Sequence, residues 1–348
     1  MSLLEIEELS IEFGLAARTV TVVDRVSFAV NRGETLGIVG ESGSGKSLTL
    51  RAILHILPGR ARISTGSIRF DGQDVTRPSR SQLHMLRGRG ITMILQDPVS
   101  ALNPVVTVEQ QFREVLGQAE GLRGDAARRR AIDLLRLVEV PDPGRVLACF
   151  AHELSGGLAQ RVVIAIALSP QPRVLLADEP TTALDVTVQA QILRLISDLR
   201  HRLGMALVLV THDMGVVAQT CDRVAVMYAG RVVEMGEIND VFHNPGHPYT
   251  VGLLASMPGI KAGVRDRTLF AMPGSPPEFG SDPEGCAFRR RCPLAVAACG
   301  AGVIPLAAVS TDHVAACIRS ARVRSEGVSF GVSTALAGGR VGGDDAGA

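Results

Sequence analysis

A chain of 348 residues with 46% hydrophobic and 20% charged residues is long and apolar enough to bury a sizeable core, in one larger and one smaller globular unit. Its 36 Lys and Arg against 35 Asp and Glu leave a net charge of +1, which gives no global basic field for nucleic acid. No uninterrupted apolar run approaches the roughly 20 residues of a membrane span, because the most apolar region, Val162 to Leu176, is broken by Ser169-Pro170-Gln171-Pro172-Arg173.

The chain opens MSLLEIEELS, whose early acidic residues and alternation do not resemble a secretory signal; a cytoplasmic protein with at most a peripheral membrane role is expected. Residues 3 to 13 alternate, Val20 to Val30 reads as a second strand region, and Thr35 to Val39 is a short buried strand ending at a glycine. This predicts an edge sheet feeding a core strand. A helix is predicted from Lys46, and Gly66 to Phe70 before Asp71-Gly72 reads as a strand and turn. From about Ser81 to Leu168 the pattern is mainly helical, clearest over Gln110 to Gly117 and Ala126 to Val138, with a break at Pro141-Asp142-Pro143-Gly144. A helical insert is expected there, with Arg128-Arg129-Arg130 on a solvated face. Val174 to Ala177, Ala206 to Val210 and Val224 to Tyr228 read as buried strands separated by helices, the alternation of a mostly parallel sheet covered on both faces. The fold class is α/β. Beyond Gly236 the composition shifts to Pro, His and Gly, four of the six cysteines fall between residues 286 and 317, and the tail ALAGGRVGGDDAGA is expected to be disordered.

GESGSGKS, Gly40 to Ser47, fits G-x-x-x-x-G-K-[ST] between a predicted strand and a predicted helix. Such a loop wraps backbone N–H groups around phosphate oxygens, so Gly40, Ser42, Gly43, Ser44, Gly45 and Leu48 are candidate nucleotide-binding residues. Lys46 reaches the β and γ phosphates, and the Ser47 hydroxyl is a candidate Mg²⁺ ligand. VLLADEP, Val174 to Pro180, ends an apolar strand in two carboxylates: Asp178 suits the Mg²⁺ shell, and Glu179 suits a base that deprotonates the water attacking the γ-phosphate. His212, in LVTHD, ends the next strand at the same carboxyl edge and suits a γ-phosphate contact. Gln96, in ILQDPVSALNP, closes another short apolar run with an amide suited to Mg²⁺ and the attacking water. ELSGGLAQR, Glu153 to Arg161, starts a helix whose free N–H groups suit a second anion.

In order and spacing, the Gly40–Ser47 loop, Gln96, LSGG at Leu154 to Gly157, LLADEP, ALD at Ala183 to Asp185 and His212 resemble the full motif set of an ABC-type ATPase, over residues 3 to about 235. The resemblance implies a P-loop ABC-type nucleotide-binding domain, with a RecA-like core, an antiparallel β edge and a helical subdomain over about 98–168. Two such domains would sandwich two ATP molecules head to tail. Ser155, Gly156 and Gly157 then contact the partner's ATP, Asp185 organises the dimer interface, and His212 stabilises transition-state charge. An adenine-stacking aromatic is expected near the N-terminus, where Phe13 is the candidate and core packing its alternative.

QDPVSALNP and HNPGHPYTVGLLASMP, followed by a Cys-rich end, resemble the ATPase subunits of bacterial peptide, nickel and related importers. The family commonly has an aromatic where Leu95 stands, and often Met-Arg at Leu158-Ala159. Implied partners are a second ABC ATPase subunit, integral permease subunits and an extracytoplasmic solute-binding protein, at the cytoplasmic face of the inner membrane. The rival readings are a soluble ABC-type regulatory or nucleic-acid-associated ATPase, which usually carries two ATPase units or long insertions, and a non-hydrolysing partner, against which the intact Glu179 and His212 speak. Cys286, Cys292, Cys299 and Cys317 are spaced C-x₅-C-x₆-C-x₁₇-C, which suits a [4Fe–4S] cluster better than a Zn²⁺ site with close pairs, buried free thiols being the third reading. The importer ATPases have similarly placed cysteines in a C-terminal extension, here 236–325, before a tail over 326–348. Cys149 and Cys221 read as small core residues.

Overall fold

The computed structural model describes residues 2–15, 18–182, 184–257, 270–278 and 285–330. The chain divides into two compact units, Met1–Val232 and Val233–Ala348.

The first unit opens with two long strands, β1 (Ser2–Gly14) and β2 (Thr19–Asn31), before the short core strand β3 (Thr35–Val39) and helix α1 (Lys46–Ile53). Next come β4 (Ala61–Phe70), β5 (Gln73–Asp74), α2 (Arg80–Leu86) and β6 (Ile91–Ile94). A run of helices follows: α3 (Pro98–Ala101), α4 (Val108–Ala119), α5 (Gly124–Leu137), α6 (Pro143–Ala148) and α7 (Gly156–Leu168). The unit ends through β7 (Val174–Asp178), α8 (Val186–Leu203), β8 (Ala206–Thr211), α9 (Met214–Thr220), β9 (Arg223–Tyr228) and the start of β10 (Arg231–Glu237).

Two sheets result. The antiparallel one is ordered β2-β1-β4-β5, with Leu4 opposite Val30 on one side and Phe70 on the other. The parallel one is ordered β9-β3-β8-β7-β6. Every residue of β3, β7 and β8 is buried, which is why these strands read as continuous apolar runs rather than alternating ones. Within the region expected to be mainly helical lies β6, whose Ile91 pairs with Val174. Four residues are too few to show a period, and pairing with β7 rather than local pattern makes them a strand. Alignment of the parallel strands puts the segments after β3, β6, β7 and β8 at one carboxyl edge, where α/β sheets bind ligands. Cys221 is a buried thiol of this unit: a Cβ on Gly37 of β3 would lie 2.9 Å from its sulfur.

In the second unit β10 pairs with β12 (His313–Ala315) through Glu234 opposite Ala315, and β12 pairs with β11 (Ala307–Ser310); this hairpin of short strands was not foreseen. Helices α10 (Ile238–His243), α11 (Pro248–Ala255) and α12 (Ser320–Glu326) and a short 3-10 helix (Ala297–Gly300) also belong to it. Val251, Val323 and Val328 form a small core that Leu294, Cys317 and Phe330 flank. Glu234 is fully buried: one oxygen accepts from the Gly246 N–H at 2.6 Å and from the His313 Nε2 at 2.7 Å, the other from the His247 N–H at 2.9 Å. That carboxylate fastens the Gly246-His247 turn to the hairpin, and the His247 ring accepts the Tyr249 N–H to cap α11. Of the tail over 326–348, expected to be disordered, Glu326 closes α12 and Val328 is buried in the small core, whereas residues 331–348 lie outside the described residues, as do Ala183 of the ALD motif and Pro258.

Candidate active site

The loop after β3 is folded around its own lysine. Lys46 Nζ donates to the Gly40 carbonyl at 2.8 Å, the Glu41 carbonyl at 2.9 Å and Ser44 Oγ at 3.3 Å. Burial pulls the Lys46 ammonium below the ordinary lysine range, against the opposing field of Glu179, Asp178 and Glu41. Gly40 is needed for close approach, since a Cβ there would sit 2.1 Å from the Met227 carbonyl oxygen. The loop leads directly into α1, so the free N–H groups of that helix start face the same place as the lysine.

Ser47, the second residue of α1, donates from Oγ to Asp178 Oδ1 at 2.7 Å, joining the loop to the end of β7. Burial raises the Asp178 carboxyl, and the Ser47 hydroxyl and Arg51 oppose that rise. A hydroxyl and a carboxylate oxygen held side by side next to a phosphate loop suit Mg²⁺, which takes one or two protein oxygens and fills its shell with phosphate and water.

Glu179 adopts a left-handed backbone, φ 47°, with its N–H donated to the Val210 carbonyl of β8 at 2.9 Å. Its Oε2 accepts from Gln96 Nε2 at 3.1 Å and from Thr182 Oγ1 at 2.7 Å, and its Oε1 lies 3.4 Å from His212 Nδ1. Three segments expected at one carboxyl edge, after β6, β7 and β8, meet on one carboxylate. Gln96 reaches Glu179 rather than Asp178. Thr182 was not singled out by sequence reasoning; the available signal was a hydroxyl three residues after the carboxylate, one turn away.

The LSGG stretch sits elsewhere. Ser155 is the N-cap of α7, accepting from the Leu158 N–H at 3.4 Å, and Ser155 and Gly156 are exposed. A Cβ on Gly157 would come within 3.0 Å of Val188 Cγ1 at the start of α8. Asp185 is exposed and caps that helix, accepting from Thr187 and Val188 N–H groups at 3.1 and 3.0 Å. Among the described residues no hydrogen bond joins Ser155, Gly156 or Gly157 to the Lys46 loop or to Glu179. Phe13, half-buried on β1, lies opposite Val20 and Ala61.

In the second unit Cys286, Cys292, Cys299 and Cys317 all line one cavity, with His247 and Phe288, and none is in a disulfide. The cavity holds about 10 Å³, near the volume one water needs. Burial pushes the Cys292 thiol up to about 11 and the Cys317 thiol also upward, so both are protonated thiols here. Among the described residues no three His, Cys, Asp or Glu side chains are grouped to hold a metal ion. The four thiols line one cavity, but their side-chain positions lend no support to the expected four-thiolate centre.

Comparison with known families agrees with the loop and sheet-edge geometry. Residues 23–182 match the family model described as ABC transporter, and residues 233–299 match the model described as oligopeptide/dipeptide transporter, C-terminal region. The oligopeptide transport ATP-binding protein OppD of Bacillus subtilis is 47% identical over 295 residues, which cover 84% of this chain and 82% of that protein. The dipeptide transport ATP-binding protein DppD of the same organism is 46% identical over 297 residues, covering 85% of this chain and 89% of that one. Among solved structures, the ATP-binding cassette MJ0796, a dimer bound to ADP and Pi, superposes with a TM-score of 0.61 at 26% identity, over 68% of this chain and 98% of that one. CbiO1 of Clostridium perfringens gives 0.59 at 30% identity, over 72% and 95%. With its phosphate loop, sheet-edge carboxylates and LSGG helix in the family's order, the chain belongs to the ABC transporter family of ATP-binding proteins.

Proposed function

We propose that the chain is the ATP-hydrolysing subunit of a peptide importer, and that the meeting of Gln96, Thr182 and His212 on the Glu179 carboxylate, beside the Lys46 loop, carries that reading. Gly40 to Leu48 cradle the triphosphate, with the Lys46 ammonium turning from loop carbonyls to phosphate oxygens. Ser47 and Asp178, with Gln96 nearby, would hold Mg²⁺, which when bound neutralises charge on the β and γ phosphates. Glu179 takes a proton from the attacking water, whose oxygen bonds to the γ-phosphorus as the bond to ADP breaks. His212 donates to the γ-phosphoryl oxygens as charge builds, and Phe13 meets the adenine. The exposed Ser155-Gly156-Gly157 start of α7 completes the site of a second ATPase subunit, and Asp185 orders the interface. This explains why one chain carries two anion-binding helix starts.

The sequence resemblance and the relatives named for oligopeptide and dipeptide transport support peptides as the solute, and permease subunits and an extracytoplasmic binding protein as partners. No described helix is long and apolar enough to cross a membrane, which accords with peripheral attachment at the cytoplasmic face. Residues 1–235 serve as the ATPase, 236–325 as the importer-type extension. Tagged chain purified from membranes should bring integral permease subunits with it, and its ATP hydrolysis should rise when peptide-loaded binding protein is added. Recovery without membrane subunits, and with activity indifferent to peptide, would favour the permease-free reading.

The four thiols, which line one cavity, are proposed as the ligands of a [4Fe–4S] cluster, or of Zn²⁺. Iron and acid-labile sulfide in anaerobically purified protein test it: stoichiometric zinc replaces the cluster, and neither metal removes the centre.

A further inference from the structure

The Glu179 carboxylate must present one oxygen to water in a fixed direction, and the structure distributes its partners unevenly. Among the described residues Oε2 receives two donors, Gln96 Nε2 and Thr182 Oγ1, whereas Oε1 has only His212 Nδ1 at 3.4 Å, too long for a strong hydrogen bond. The Thr182 bond, at 2.7 Å, is the shortest of the three and the most local: the Thr182 N–H also donates to the Glu179 carbonyl at 3.3 Å. Gln96 and His212 are placed by other strands, so their contacts depend on how those segments move. The Thr182 contact is set by the same turn that sets the Glu179 backbone.

We infer that Thr182 is a positioning residue for ATP hydrolysis: its hydroxyl, donating to Glu179 Oε2, holds the carboxylate so that Oε1 is the oxygen that takes the proton from water. The inference rests on the reading of Glu179 as the base. In this scheme Thr182 acts through Glu179 and is not itself a catalytic residue. A misaligned base slows the chemical step without weakening nucleotide binding, since Lys46 and its loop are untouched.

The test uses the assembled complex of this chain with its second ATPase subunit and permease, carrying Thr182→Val, Thr182→Ala, Thr182→Ser or Glu179→Gln. Rates are counted per site that binds a fluorescent ATP analogue, on complex isolated by size-exclusion chromatography, which removes misfolded and unassembled protein from the comparison. Both hydroxyl-deleting variants should lower kcat about tenfold with KM for ATP within about twofold of the parent, the loss expected for one hydrogen bond to a charged group. Thr182→Ser should restore kcat to within about twofold. An unchanged kcat in Thr182→Ala and Thr182→Val overturns the inference, as does a serine variant as slow as the alanine one, which would make the effect steric. Glu179→Gln separates the two levels. If it hydrolyses ATP at the parent's rate, the base assignment itself fails. If it is inactive while Thr182→Ala is not impaired, only the positioning role fails.

Discussion

Replacing Glu234 should loosen the second unit selectively, and the size of the effect follows from its surroundings. The carboxylate is fully buried and accepts three hydrogen bonds, from the Gly246 and His247 N–H groups and from His313 Nε2, itself 1% exposed. Glu234→Ala strands all three donors in a dry site. An orphaned buried donor costs about 1–3 kcal/mol, and breaking a buried charge-assisted network about 3–5 kcal/mol in total. Glu234→Gln keeps one acceptor oxygen but turns an NH₂ toward N–H donors, so it should cost about 1–3 kcal/mol. The readout is amide hydrogen exchange in the full chain. A loss of about 3 kcal/mol in local opening free energy speeds exchange at Gly246 and His247 about a hundredfold in Glu234→Ala, with a smaller increase in Glu234→Gln. His247 lines the four-cysteine cavity, so those thiols should alkylate faster as well. Unchanged exchange at both amides in Glu234→Ala would refute the reasoning, because it would mean that the buried carboxylate holds nothing in place.

Ser155→Arg removes a helix cap worth about 1 kcal/mol, too little to unfold the unit, and places a bulky cation where the partner's ATP is proposed to dock. Equilibrium binding should show ATP affinity at this chain's own loop nearly intact, while hydrolysis at the partner's site is lost; normal hydrolysis would break the composite-site reading. The Cys221 thiol, pushed up by burial from an unfolded value of 9.0 to about 12, favours the folded state while protonated. That contribution is complete below pH 9 and is lost as pH rises from about 9 to 12. Urea unfolding at pH 8 and 11 should therefore show a steeper alkaline loss for the parent than for Cys221→Ala, and identical slopes would remove burial of this thiol as a cause.

How much could be read from the chain alone depended on how local each signal was. The loop from Gly40 to Ser47 needs its residues in one stretch, because backbone amides wrap a phosphate only when they are consecutive, so its spelling was sufficient. The buried strands β3, β7 and β8 were legible for a related reason: burial on both faces leaves an unbroken apolar run. By contrast β6, β11 and β12 are strands of three or four residues, specified by what they pair with rather than by any period of their own. The convergence of Gln96, Glu179 and His212 followed from their shared place at strand ends, yet which atoms would meet did not. Gln96, expected at both the metal and the attacking water, donates to the base, and Thr182 went unnoticed because a threonine in a turn is ordinary until its partner is known. The cysteines show the limit of spacing arguments: the four thiols line one cavity, but spacing says nothing of how their sulfurs are placed within it.

The central claim is that Glu179 is the base of an ATP-hydrolysing site built on the Lys46 loop. Steady-state ATP hydrolysis by the assembled complex carrying Glu179→Gln tests it most directly, with ATP binding measured on the same preparation. The account predicts turnover reduced by about 10²–10⁴ with ATP still bound, because the amide keeps the shape of the side chain and cannot take the proton. Undiminished hydrolysis in that variant would contradict it.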